Sequence, residues 1–179
     1  MKETHYRNAT RGRVIGERLV WAALLLIAAP LVASAQVRGE KRAMGYAFVA
    51  PGGTAGDGSA FTVHYGGGGE ALVFRGLGLG VELGSVAPIS IDAGNVGIFS
   101  TNLSYNFGER GGSKRAVPFV TSGYSRRFGY EQEVSGVNVG AGLHYWATDH
   151  LGVRLEFRDH HFSRGVLNFY GVRLGVAFR

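Results

Sequence analysis

Apolar and polar residues alternate along the last strand-like segment of the chain. Residues 170–178 read Tyr-Gly-Val-Arg-Leu-Gly-Val-Ala-Phe. A period of two is typical of a β-strand, in which successive side chains point to opposite faces. One face carries Tyr170, Val172, Leu174, Val176 and Phe178, and the other carries glycine, alanine and Arg173. This pattern predicts a final barrel strand with one face toward lipid.

Seven further segments of this kind precede it, separated by stretches rich in Gly, Pro, Asp or Ser. We predict eight strands, at residues 43–50, 60–74, 77–87, 95–107, 116–128, 135–147, 151–162 and 166–178. Segments of about 9 to 11 residues cross a bilayer when tilted. The prediction is an all-β fold, namely an eight-stranded antiparallel up-and-down transmembrane barrel. An even number of strands places both chain termini on the periplasmic side. Its outer loops would be 51–59, 88–94, 129–134 and 163–165.

The seventh segment indicates which side chains face inward. In 151–158, Leu, Val, Leu and Phe alternate with Gly, Arg, Glu and Arg. Aligning 77–83 with 151–157 superposes the turns before them and carries Glu70 onto His144. Because an unpaired buried charge is very costly, we expect an Arg–Glu network that fills the lumen. Its predicted members are Glu70, Glu82, His144, Arg154, Glu156, Arg158 and Arg173.

The first 35 residues have the composition of a secretory signal peptide. Five basic residues in 1–18 precede an apolar run at 19–32, and the small residues Ala-Ser-Ala at 33–35 suit cleavage. A spanning helix needs about 20 apolar residues, and Pro30 interrupts this shorter run. We predict cleavage near Ala35. The chain then divides into a signal peptide at 1–35, a short lead at 36–42 and a barrel domain at 43–179.

Removing the signal peptide changes the charge of the chain. The formal net charge is +6, but the first 35 residues hold five of the 19 basic and only two of the 13 acidic residues. The remaining charge of about +3 removes the main reason to expect nucleic-acid binding. The absence of cysteine excludes a disulfide framework and a lipoprotein anchor. Thirty glycines, each costing about 1 kcal/mol in a helix, fit a narrow barrel better.

The alternation at 170–178, together with segments 66–73, 77–83 and 151–159, resembles the small outer-membrane β-barrels of the OmpA/OmpX type. The resemblance covers residues 43–179. It implies a monomer in the outer membrane of a Gram-negative bacterium, surrounded by lipid and lipopolysaccharide. It also implies that periplasmic chaperones and the outer-membrane assembly machinery handle the chain. That machinery would read Tyr170, Val172, Leu174, Val176 and Phe178 as an assembly signal.

Two short motifs could carry chemistry. Residues 159–161, Asp-His-His, offer metal ligands, but adjacent strand residues point to opposite faces, so only one histidine could join an interior site. His161 and Ser163 resemble part of the His-x-Ser-Asn pattern of lipid A deacylases, in which imidazole activates serine. Here Arg164 replaces the asparagine, and no acidic residue follows Ser163 to orient the histidine. We therefore expect no catalysis, no metal and no cofactor.

The sequence favours a non-catalytic outer-membrane barrel with a structural or loop-mediated role. The loop at 129–133, Gly-Tyr-Glu-Gln-Glu, is the most plausible contact surface. Three alternatives stay open: a deacylase-like barrel enzyme, a narrow pore, and a soluble lipocalin-like barrel whose apolar side chains turn inward. Eight strands enclose only enough room for side chains, which disfavours the pore.

Overall fold

The computed structural model of the chain describes residues 43–55, 59–89, 94–107, 115–129, 133–163 and 168–179. Most of these residues lie in eight β-strands. The strands are β1 (Ala43–Ala55), β2 (Phe61–Phe74), β3 (Leu77–Pro88), β4 (Val96–Asn106), β5 (Ala116–Phe128), β6 (Val134–Trp146), β7 (Leu151–Phe162) and β8 (Asn168–Phe178). The predicted signal peptide and lead lie outside the described residues. Within these ranges, no helix has the length and apolarity needed to span a membrane.

The eight strands form a closed antiparallel barrel. Each strand pairs with its neighbour in sequence, and β8 pairs with β1. At this seam Gly45 lies opposite Phe178, and Ala55 lies opposite Asn168. Every strand therefore has a backbone partner on both sides, as a chain in hydrocarbon requires. The predicted fold class is confirmed.

The two ends of the barrel differ in their connections. One end, named here the terminal end, carries Ala43 and Phe178 and the two-residue turn at Arg75 and Gly76 between β2 and β3. Both turn residues have positive φ, 43° and 89°, as in the hairpin turns that suit the twist of a sheet. The opposite end, named the distal end, carries the β1–β2, β3–β4, β5–β6 and β7–β8 connections.

Strand β1 is longer than its sequence pattern predicts. The pattern ends the strand at residue 50 and places a turn at 51–58, but the strand continues to Ala55. Gly52 and Gly53 pair with both β2 and β8. A Cβ on Gly52 would collide with the carbonyl oxygen of Tyr170, so this glycine lets β8 approach closely. Backbone pairing on both sides overrides the turn-like composition.

The other seven predicted segments agree with the strands to within two residues at either end. The remaining differences shift the limits of the predicted outer loops, and β8 begins at Asn168, two residues later than predicted. The loop predicted at 51–59 begins only after Ala55, while Pro88 belongs to β3 and Val134 to β6. Pro88 lies opposite Thr62 and Val134 opposite Arg127, so pairing with a neighbouring strand continues beyond the point that composition indicates.

Polar side chains lie inside this barrel and apolar side chains outside, the reverse of their distribution in a soluble protein. Its largest fully buried side chains are Arg154, Arg158 and Arg173, whereas Leu155 and Leu174 are 49% and 55% exposed. A soluble lipocalin-like barrel turns its apolar side chains inward, so that alternative is wrong for this fold.

Aromatic side chains gather near both ends of the outer wall. The exposed aromatic residues at the terminal end are Phe74, Tyr105, Phe107, Tyr145 and Phe178. Those toward the distal end are Phe61, Tyr65, Tyr124 and Tyr170, while Phe157 lies near the middle of β7. Two aromatic girdles around an apolar band are characteristic of transmembrane barrels, because aromatic rings favour the membrane–water interface. The outer wall therefore fits a bilayer.

The lumen contains two apolar clusters with polar side chains between them. The cluster toward the terminal end consists of Met44, Tyr46, Phe48, Ala50, Val117, Trp146 and Ala177. The distal cluster consists of Val86, Ile98, Val134, Phe162 and Phe169. On β6, Trp146 and Val134 belong to opposite clusters, and the buried polar residues His144 and Asn138 lie between them. Charged side chains are thus enclosed from both sides.

Candidate functional site

The structure places all seven residues of the predicted charge network inside the barrel. Glu70 is the most exposed of them, at 7%, and the others are at most 2% exposed. They are Glu82, His144, Arg154, Glu156, Arg158 and Arg173. The alternation of each strand explains this placement, because residues two apart share a face.

Glu156 is the centre of an ion-pair cluster on one strand. Arg154 and Arg158 flank it on the inward face of β7. Nε of Arg154 donates to Oε2 of Glu156 at 3.0 Å, and Nε of Arg158 donates to Oε1 at 2.5 Å. One carboxylate thus accepts from two guanidinium groups, which satisfies both of its oxygens.

A second ion pair crosses the lumen from β8 to β3. Nη1 of Arg173 donates to Oε2 of Glu82 at 2.7 Å, and the same nitrogen lies 3.9 Å from Oε2 of Glu156. The hydroxyl of Tyr46 on β1 also donates to Oε2 of Glu82, at 3.0 Å. Arg173 therefore connects the two carboxylates and ties together strands that lie far apart in sequence.

Glu70 has a different kind of partner from the one predicted. Nδ2 of Asn106 donates to its Oε1 at 2.7 Å, so an amide takes the place of the expected arginine. His144 does meet an arginine, since its Nε2 lies 3.2 Å from Nη1 of Arg154. Three buried arginines and three buried glutamates balance in formal charge within the described part of the lumen.

Polar residues outside the predicted set complete the network. Nη1 of Arg158 donates to Oδ1 of Asn138 at 2.6 Å and to Oδ1 of Asn102 at 3.1 Å. His64 and His160 both face Arg173 and are fully buried. The sequence contained a signal for both histidines, because the period of two places His64 on the face of Glu70 and His160 on the face of Arg158.

Aromatic rings and glycines make room for the arginines. The guanidinium of Arg154 lies 4.4 Å from the ring centre of Tyr46 and 4.1 Å from that of Phe119. Arg173 lies 4.3 Å from the ring centre of Phe48. A Cβ on Gly140 would come within 2.9 Å of both Nε of Arg158 and Oε1 of Glu156. Inward glycines thus leave the space that long charged side chains fill.

The deacylase-like motif lies on the outer wall near the distal end. Nε2 of His161 lies 2.9 Å from Oδ2 of Asp159. The histidine therefore has an acidic partner, which precedes it in sequence, although no acidic residue follows Ser163. The hydroxyl of Ser163 donates to the carbonyl oxygen of Ser135 at 2.9 Å. The described contacts of Ser163 therefore engage its hydroxyl with the backbone and not with an imidazole.

The other predicted sites are distributed as follows. His160 lies in the lumen and His161 on the outer wall, so the Asp-His-His motif is split between faces. The described ranges contain no group of three or more His, Cys, Asp or Glu that could hold a metal ion. In the loop predicted as a contact surface, Glu133 pairs with Arg126, and residues 130–132 lie outside the described residues.

The outward face of β8 matches the predicted assembly signal in its placement. Its five members are between 43% and 55% exposed, namely Tyr170, Val172, Leu174, Val176 and Phe178. The ring of Phe178 lies over Gly45 of β1, where a Cβ would collide with it. This aromatic side chain therefore covers the seam at which the barrel closes.

No protein-family model matches the chain, and no curated protein matches it either. Several solved structures match the chain. The Neisserial surface protein A matches with a TM-score of 0.62 and 15% identity, over 76% of this chain and 96% of that one. The N-terminal β-barrel domain of Pseudomonas aeruginosa OprF matches with a TM-score of 0.57 and 20% identity, over 76% and 95%. A de novo designed transmembrane β-barrel matches with a TM-score of 0.51 and 19% identity, over 76% and 93%.

Identities this low show the fold alone. The matched structures share a closed barrel whose wall crosses a membrane, and the apolar wall and aromatic girdles of this chain have the same physical character. The resemblance to the OmpA/OmpX type is confirmed at the level of the fold: the chain has the fold of the small eight-stranded outer-membrane β-barrels.

Proposed function

We propose that this chain is a non-catalytic outer-membrane barrel that conducts no ions at neutral pH and has a structural or loop-mediated role. The filled lumen is the observation that carries the proposal. A conducting pore needs a continuous water path, whereas the described part of the lumen is filled by three arginines, three glutamates and two apolar clusters. Eight strands leave an interior that side chains can fill completely.

Planar-bilayer recording of the purified protein at neutral pH tests this proposal. We expect no sustained current, because the ion-pair layer closes the lumen. A variant with Arg154, Glu156 and Arg158 all replaced by serine removes the centre of that layer, and we expect it to conduct. Sustained current through the unmodified protein would contradict the proposal.

The surroundings of Ser163 support a non-catalytic role. Its hydroxyl donates to a backbone carbonyl, and the ring of His161 is paired with Asp159. An enzyme that used this serine would need the imidazole to accept its proton.

The corresponding experiment compares lipid A acylation in cells that produce the unmodified chain, the Ser163→Ala variant, or neither. We expect all three acylation patterns to agree. Loss of an acyl chain that depends on Ser163 would establish the deacylase alternative.

We extend the proposal to the location and the partners of the chain, which the same geometry supports. The terminal end, which has the shortest turn, would face the periplasm, and the distal loops would face outward. The predicted signal peptide at 1–35 would direct export, and the apolar face of β8 would guide periplasmic chaperones and the assembly machinery. The barrel would then stand as a monomer among outer-membrane lipids and lipopolysaccharide. Fractionation with heat-dependent gel mobility checks this location, and recovery from the soluble periplasm would exclude it.

A further inference from the structure

Three histidines in the lumen each face an arginine. Nδ1 of His64 lies 3.3 Å from Nη2 of Arg173, and Nε2 of His160 lies 3.1 Å from the same nitrogen. Nε2 of His144 lies 3.2 Å from Nη1 of Arg154. All three imidazoles are at most 2% exposed.

The hydrogen bonds fix the protonation state of these rings. A guanidinium group can only donate, so each facing imidazole nitrogen must accept and cannot carry a proton. For His160 the second nitrogen, Nδ1, lies 3.0 Å from the hydroxyl of Ser125 and carries the single ring proton. The three histidines are therefore neutral in the closed barrel, although histidine is the side chain that most readily gains charge near physiological pH.

The charged groups around His64 and His160 leave little room for another positive charge. Arg173 from β8 faces both rings, and the two rings lie 5.9 Å apart between their centres. Glu82 from β3 already binds Arg173, and Arg158 from β7 adds a further positive charge nearby. A proton on either imidazole would turn an acceptor into a donor that points at a guanidinium.

His144 is in a similar position near the terminal end. Arg154 from β7 donates to it, and Arg179 after β8 is the other cation that acts on it. Its ring stacks on Phe119 from β5 and on Trp146 of its own strand, with centres 4.5 Å and 6.1 Å away. None of these four side chains carries a carboxylate that could compensate a proton on His144.

We propose that His64, His144 and His160 make this barrel acid-sensitive: their protonation breaks the hydrogen bonds to Arg173 and Arg154 and loosens the layer that closes the lumen. The buried charges of the described residues are three arginines and three glutamates, so each proton added to this balanced set leaves an uncompensated positive charge. This inference goes beyond the proposed function, which concerns neutral pH.

The direction of the pH effect follows from proton linkage. An unperturbed histidine has a pKa of about 6.5, so the unfolded chain gains protons below that pH while the closed lumen excludes them. The stability that the three neutral histidines contribute is therefore complete above a pH of about 6.5 and falls as the pH decreases below it. Three protons taken up only on unfolding would raise the unfolding equilibrium constant by up to about a thousandfold per pH unit. An unperturbed glutamate has a pKa near 4.3, so histidine is the side chain of the unfolded chain that changes charge between pH of about 7 and 5.

Urea unfolding of the full chain in lipid vesicles, followed by heat-dependent gel mobility at several pH values from 7.5 to 5, tests the proposal. The test variant is His64→Gln, His144→Gln and His160→Gln combined, because a glutamine oxygen accepts from arginine but does not titrate. The matched control carries His150→Gln and His161→Gln, two exposed histidines outside the lumen. We expect the unmodified chain and the control to lose stability steeply in acid, and the test variant to lose much less.

Equal acid dependence in the test variant and the unmodified chain would overturn the proposal, as would a stability that does not change over this pH range. If the triple variant does not fold, each single variant is measured instead, and each is expected to reduce the dependence by up to about tenfold per pH unit. Bilayer recording at neutral pH is independent of these results, so failure here leaves the proposed function standing.

Discussion

Replacing Arg173 with leucine is expected to lower the free energy of unfolding by about 3 to 5 kcal/mol. The change removes the cation that binds Glu82 and leaves that carboxylate buried, with its side chain only 1% exposed. An uncompensated buried charge is far more costly than the loss of an exposed ion pair, because water cannot solvate it. Arg173 also donates to His64 and His160, so both rings lose a partner. Urea unfolding in lipid vesicles at neutral pH measures the effect.

The double variant Arg173→Leu with Glu82→Leu separates charge from packing. Replacing both members of a buried ion pair with apolar residues is often neutral or stabilising, because neither charge remains to be desolvated. We expect the double variant to recover most of the lost stability. A double variant as unstable as the single one would show that the volume and shape of Arg173 are decisive, and not its charge.

Replacing Leu174 with arginine is expected to cost about 2 to 4 kcal/mol, although the adjacent residue is already an arginine. Leu174 lies on the outer wall, opposite Val49 on one side and Leu155 on the other, near the middle of β8. A guanidinium at this position would face hydrocarbon without water or a carboxylate. Comparing this variant with the native Arg173 separates the effect of orientation from that of residue type. The side chain at 173 points into the lumen, whereas the side chain at 174 points to the outer wall.

Leu151→Arg provides the matched control for depth. Leu151 is 50% exposed and lies opposite Phe178, at the aromatic girdle of the terminal end. Arginine near the interface costs only about 0 to 1 kcal/mol, since its side chain can reach the headgroups. Unfolding experiments in the same vesicles should therefore rank Leu174→Arg well below Leu151→Arg in stability. Equal costs at the two positions would contradict the proposed position of the wall in the bilayer.

Strand β1 shows where local sequence rules fail. Proline and two glycines at 51–53 predict a turn, yet the strand extends to Ala55 because β2 and β8 both pair with this stretch. Composition reports what a segment prefers by itself, whereas a closed barrel offers backbone partners on both sides. In the other seven strands, the boundaries that composition predicts agree with the paired strands to within two residues.

The histidines show a different limit. His64 and His160 are on inward positions by the same alternation that selects Glu70 and Arg158, so their burial was predictable. Their joint contact with Arg173 was not, because it depends on three strands that meet only in the closed barrel. For the same reason, the sequence does not predict that Glu70 pairs with Asn106 and not with an arginine.

The sequence by itself determined the strands, their number and the face on which each side chain lies. These properties are local, since a period of two assigns every residue of a strand to one wall or the other. Only the tertiary structure decided which charges pair. Arg173 and Glu82 are 91 residues apart, and they meet because β8 closes onto β1 and points its arginine across the lumen. Alternation carries no information on contacts across the barrel, because these depend on register and closure.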